Sequence, residues 1–230
     1  MKRAIGSLVV LGVVLWTAGC GDEAAAPAFV EDIAKAAPDN VKLLLENDHL
    51  KVSKFTVPPQ VELPMHRGED RVVYSITDYR LRLLRPDVPP SDAVHRAGEA
   101  HWRSAGTHGV KNIGPIAAEY LVIERKTSNP TPGVTSNLAE LVPDKARIVF
   151  ENEQTKVIEV SLNPGDKLPP HTAASRLVYS ATAAKLRYIA AGGASEEDLA
   201  AGTVHFHDGG EHQVENLSDA AVKLVIFELM

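Results

Sequence analysis

A single cysteine, Cys20, stands in 230 residues. That scarcity excludes an intrachain disulfide and a thiolate metal cluster. Positive charge is also short: 24 Lys and Arg face 30 Asp and Glu, for a net charge of −6. Without Lys2 and Arg3 of the N-terminal leader the remainder carries −8, that is, −6 less the two cations. Binding to a phosphate backbone runs on Lys/Arg neutralisation, so this balance argues against a nucleic-acid partner. Beyond Val41 there is no long run of helical period. No nucleophile elbow, phosphate loop or dinucleotide fingerprint occurs anywhere in the chain.

What the chain does have is an internal repeat. Glu46–Ser75 (ENDHLKVSKFTVPPQVELPMHRGEDRVVYS) and Glu151–Ser180 (ENEQTKVIEVSLNPGDKLPPHTAASRLVYS) align without a gap at an offset of 105, with 12 of 30 positions identical. The shared residues include His66/His171, Arg71/Arg176, Tyr74/Tyr179 and Leu63-Pro64/Leu168-Pro169. A second echo pairs HWRSAGTHGVKN (101–112) with HFHDGGEHQVEN (205–216), matching His108 to His212 and Asn112 to Asn216. A period of this length is the size of a small domain, not of a solenoid unit. The chain therefore reads as two tandem copies, at 41–125 and 146–230, joined by a Pro-, Ser- and Thr-rich linker at 126–145.

The first 20 residues have the layout of a secretory signal: basic Lys2 and Arg3, an apolar core over Ala4–Trp16, then small residues. Thr17-Ala18-Gly19-Cys20 resembles a bacterial lipobox, which makes Cys20 the expected lipidation site and the membrane a partner through it. Two or more acyl chains give stable anchoring. Gly21 after the cysteine leans the expectation toward the periplasmic side of an outer membrane. Residues 21–40 read as a tether with one short helix over Phe29–Ala37, ended by Pro38.

Within each copy the texture is short alternating apolar runs bounded by Pro, Gly, Asn and Asp, which is strand grammar. Candidate strands are 53–57, 71–75, 80–84, 117–123, 158–162, 176–180, 185–190 and 222–227. Residues 87–99 and 192–202 read as inter-strand loops, and 137–142 as a short helix. The fold class is all-β, with closed or double-sheet architecture.

Each copy resembles a cupin, and the chain a bicupin. The resemblance rests on Gly165-x5-His171, with Gln60 in that glycine's place in the first copy, and on His108-x3-Asn112 and His212-x3-Asn216. Gly209 also fits the family's turn before the second-motif histidine, where the first copy has Ala105. It implies two tandem cupin-like β-barrels (double-stranded β-helix or jelly roll). In the family a metal is held by two motif-one histidines, a motif-one glutamate and the motif-two histidine. Here Gly68 and Ala173 stand in place of the second histidine. Counted strictly, the acid's position falls on Val72 or Val73 and on Leu177 or Val178. Aligned on the strand, it falls on Arg71 and Arg176. Glu69 and Asp70 are substitutes in the first copy only, since Ala174 and Ser175 replace them in the second. A guanidinium has no lone pair to give. At about 4 Å and an effective dielectric near 20 it repels each unit of cation charge by roughly 4 kcal/mol.

These departures point to a small-molecule pocket without a metal cofactor. His66, Arg71 and His108 would form the site in the first copy, and His171, Arg176 and His212 in the second. Arginine's planar fork suits a carboxylate or phosphate, so the ligand expected is anionic. Arg71, Val73 and Ser75 share one strand face and Val72 and Tyr74 the other, so Arg71 points inward if the strand alignment holds, with Tyr74 directed outward into a packing interface. Arg71 and Arg176 could instead form buried ion pairs or bind loop carbonyls. Asn112 and Asn216 are expected to hold a turn. Two other readings stay open. One is a metal-dependent cupin enzyme (dioxygenase or isomerase) holding a divalent transition metal on a reduced set drawn from His66, His108, His171, His205, His207 and His212. The other is a structural or interaction module with degenerate barrels.

Overall fold

A computed structural model describes residues 29–126 and 135–230. The leader, Cys20, the tether up to residue 28 and the central linker at 127–134 lie outside the described residues. No helix among the described residues is long and apolar enough to cross a membrane.

The first half comprises β1 (Phe29–Val30), α1 (Ile33–Ala36), β2 (Val41–Glu46), β3 (Leu50–Val57), β4 (Glu62–Gly68), β5 (Arg71–Ser75), β6 (Tyr79–Arg85), β7 (Val88–His95), β8 (Ala100–Arg103), β9 (Gly106–Asn112) and β10 (Ala118–Arg125). The second comprises α2 (Leu138–Leu141), β11 (Ala146–Glu151), β12 (Thr155–Leu162), β13 (Lys167–Ala173), β14 (Arg176–Ser180), β15 (Ala184–Ala190), β16 (Gly193–Leu199), β17 (Val204–His207), β18 (Gly210–Asn216) and β19 (Val222–Leu229). The first half folds into two sheets, ordered β2-β3-β10-β5-β8 and β1-β4-β9-β6-β7. The second repeats this with β11-β12-β19-β14-β17 and β13-β18-β15-β16.

Alternation explains the packing. Phe55, Val57, Val73, Tyr120 and Val122 from one sheet meet Leu63, Tyr79, Leu81 and Val110 from the other in the first core. Ile158, Val160, Val178, Leu224 and Ile226 meet Leu168, Leu186, Leu199 and Val214 in the second. The opposite faces of the same strands do not look at water. Leu50, Val52, Val72, Tyr74, Leu121 and Ile123 pack against Val157, Leu177, Tyr179, Val225 and Phe227 in a third apolar cluster between the halves. The rings of the repeat-related pair Tyr74 and Tyr179 lie 6.4 Å apart in it.

Several segments differ from their sequence reading. The N-terminal helix is shorter than Phe29–Ala37. Phe29–Val30 forms a strand parallel to β4, and only Ile33–Ala36 is helical. The Asp32 carboxylate caps that turn, accepting from the Ala34 and Lys35 amides at 3.0 and 3.3 Å, so the helix starts there. Residues 88–95 and 193–199 are strands, not loops. Both lie at sheet edges with largely exposed side chains, which hides the apolar alternation; an edge also tolerates Pro89 and Pro90. Gln60 adopts the left-handed conformation (φ 65°) that Gly165 adopts at 77° in the second half.

Candidate functional site

The motif-one histidines owe their position to a proline. In each half the ladder between the motif-one and motif-two strands slips just before the histidine, between Leu63 and His66 and between Leu168 and His171. Pro64 and Pro169 have no N–H to donate, and the resulting bulge turns the histidine inward. There His66 faces His108 with ring centroids 4.3 Å apart, and His171 faces His212 at 4.2 Å. His66 Nδ1–H donates to the Pro64 carbonyl at 2.9 Å, and His171 Nδ1–H to that of Pro169 at 2.8 Å, leaving each Nε2 as the ring's acceptor.

Arg71 and Arg176 point into the barrels, on the face opposite Tyr74 and Tyr179. Arg71 Nη1 donates to the Glu69 and Ser104 carbonyls at 2.7 and 3.4 Å, and Nη2 to His108 Nε2 at 3.2 Å. Arg176 repeats this with the Asp208 and Ala174 carbonyls at 3.2 and 3.4 Å and His212 Nε2 at 2.9 Å. The loop-carbonyl arrangement is therefore the one found, and neither guanidinium has a carboxylate at ion-pair distance among the described residues. Burial first, then the neighbouring cation and histidine, hold His108 and His212 at a pKa of about 3, so both rings stay neutral. Asn112 and Asn216 tie turns, as expected. Asn112 Nδ2 donates to the Val57 and Ile116 carbonyls, both at 2.7 Å, and Asn216 Nδ2 to those of Leu162, Asn163 and Ala220 at 3.1 Å.

This chemistry fits a metal poorly. His108 and His212 each spend their Nε2 lone pair on an arginine. A side chain at Gly68, where the family places its second histidine, would begin 2.5 Å from Arg71 Nη1, so the arginine fills that space. His205 and His207 do face the second barrel's interior, beside Val178 and Arg176 in the register. Their Nε2 atoms are buried without partners. No group of three or more potential ligands converges among the described residues, whereas a catalytic site uses three protein ligands and an open position.

The two interiors diverge. The first barrel encloses a pocket of about 70 Å³, and His66, Arg71 and His108 lie on its wall. Lining it as well are groups not singled out in the sequence: Lys51, His95, His101, Arg103, Tyr120 and Glu124. The strand register sets Lys51, Glu124, Arg71 and Arg103 in one row across β3, β10, β5 and β8. The matching row in the second barrel is Lys156, Glu228, Arg176 and His207. Burial holds His207 at a pKa of about 4, so this second row lacks the fourth residue's charge. Arg103 makes no hydrogen bond or ion pair among the described residues. Deeper in, His101, held at about 3 by burial, has its Nδ1 buried without a partner. The same depths of the second barrel carry Ile158, Leu199 and Leu224 in place of Ser53, His95 and Tyr120. Alternation in His101-Trp102-Arg103, paired with β5, is the sequence signal that would have found Arg103.

Comparison with solved structures places this architecture. AerE from Microcystis aeruginosa superposes with a TM-score of 0.58 at 17% identity, covering 83% of this chain and 97% of that one. A Bacillus subtilis oxalate decarboxylase variant gives 0.62 at 13%, covering 86% and 72%. A formate complex of the Lactobacillus farciminis oxalate decarboxylase gives 0.57 at 13%, covering 86% and 80%. The fold is a cupin fold. At these identities the likeness extends to the fold alone. No protein-family model and no curated protein matches the sequence.

Proposed function

We propose that this chain is an exported, lipid-anchored protein of two cupin-like barrels whose first barrel binds a small anionic molecule without a resident metal. The observation that carries the reading is Arg103, a half-buried guanidinium on a pocket wall with no partner of its own among the described residues. Burying an uncompensated cation is unfavourable, and an anion in the pocket relieves that cost. Arg71 and His108 back the site: Arg71 adds positive potential while its hydrogen bonds hold the His108 ring. Anchoring through Cys20 and a location in the cell envelope rest on the leader's layout.

Calorimetric titration of the full-length protein in mild detergent with acetate and inorganic phosphate tests the reading. One anion per chain is expected, with at least about tenfold weaker binding in Arg103→Gln, the loss typical of a charge-assisted hydrogen bond. Mn²⁺, Fe²⁺ and Zn²⁺ are expected to leave the thermal midpoint unchanged. Stoichiometric metal retention, or anion affinity indifferent to Arg103, would overturn it.

A further inference from the structure

We infer that the anion is a short-chain monocarboxylate whose carboxylate lies on Arg103 and whose apolar chain runs beneath Ile33, the residue that limits its length. The inference rests on the anion-binding reading above and names its ligand class.

Charge sets the number of anionic groups. In the row Lys51–Glu124–Arg71–Arg103, Glu124 lies between Lys51 and Arg71. Arg71 is further tied to two carbonyls and His108. Among the cations of this row, Arg103 alone has neither an acid next to it across the ladder nor a hydrogen bond among the described residues. One free guanidinium matches one carboxylate in a two-bonded fork. Val73, Leu81, Leu83, Val110 and Val122 give the same wall an apolar strip on which a short chain can lie, which suits one carboxylate with a hydrocarbon tail better than a second charged group.

Volume sets the size. A water needs about 10–15 Å³ of such space, so a pocket of about 70 Å³ holds about five to seven water-sized groups. A carboxylate with a chain of a few carbons fills it.

The repeat identifies the limiting residue. Extended upstream at the same offset of 105, it matches Ala34, Pro38 and Asp39 to Ala139, Pro143 and Asp144, and sets Ile33 against Leu138. Both begin one-turn helices that lie against their own barrel. Leu138 is 1% exposed and belongs to the second core. Ile33 is only partly buried and borders the first pocket. The same position thus plugs one barrel and roofs the cavity of the other.

Titration of the full-length protein with the straight-chain acids from acetate to heptanoate tests this. Affinity should rise by about fourfold per added methylene, then fall sharply once the chain meets residue 33. Ile33→Ala should move the fall to an acid one or two carbons longer. Ile33→Val, a milder change, should move it by at most one carbon and serves if the alanine variant fails to fold. Leu138→Ala should leave the stoichiometry at one acid per chain, because its row has His207 where the first has Arg103. A length limit that ignores residue 33, or no gain with chain length, would sink this inference and leave the anion reading standing. Absence of binding by every acid and by phosphate would sink both.

Discussion

Seven of the nine histidines are held below their ordinary pKa, with burial the largest cause at each. For a base the sign is direct. The unfolded chain takes up these protons near pH 6.5, whereas the folded chain takes them up only at lower pH. Stability is therefore full above about pH 6.5 and drains as pH falls toward the folded values, about 3 for His101, His108 and His212 and about 4 for His207. Thermal unfolding followed from pH 8 to 4 should show a midpoint that is flat above neutrality and falls steeply below 6. Calorimetry near pH 5 should record uptake of several protons on unfolding. A midpoint constant down to pH 4.5 would contradict the neutral, buried rings. At this scale the sequence was informative where parity decides. Arg71 inward and Tyr74 outward follow from the two-residue period of Arg71–Ser75. That Arg71 bonds to His108 does not, because the bond joins strands from opposing sheets and depends on the empty space at Gly68.

The one-turn helices show what an element contributes when its surroundings differ. Leu138→Ala should cost about 2–5 kcal/mol, as deletion of a fully buried leucine does. Ile33→Ala, at a half-buried roof, should cost distinctly less; urea denaturation of the two variants measures both. Equal losses would mean that the first barrel is as tightly filled as the second. The helix at 138–141 was readable from its Pro-bounded apolar turn. Strands β7 and β16 were not, because edge strands carry side chains that face solvent and so lose the alternation on which a strand is recognised. The motif-one bulge was hidden too. Leu63-Pro64 and Leu168-Pro169 are plain in the sequence, but a register slip exists only relative to a partner strand.

The architecture of the whole molecule follows from strands that are buried on both sides. All five residues of Arg71–Ser75 and of Arg176–Ser180 are buried, one face toward each barrel's interior and the other toward the opposite half. A continuous apolar run in the sequence signals double burial, but it does not say what covers the second face. Phe227, fully buried in the cluster between the halves, is the sharpest probe of that contact. Phe227→Ala should lower stability by about 3–5 kcal/mol in chemical denaturation while leaving carboxylate affinity within about twofold, since this residue is remote from the pocket wall. A loss of binding equal to the loss of stability would show that the pocket depends on the seam.

That seam has a consequence for ancestry. Equivalent residues meet across it: the Tyr74 and Tyr179 rings lie tilted against each other, and Val52 and Val72 lie in one cluster with Val157 and Leu177. A patch that recognises its own copy is the signature of a two-fold homodimer. The duplication is then read most simply as the fusion of two identical subunits that already paired, after which the two interiors diverged, with Arg103 in the one where His207 stands in the other.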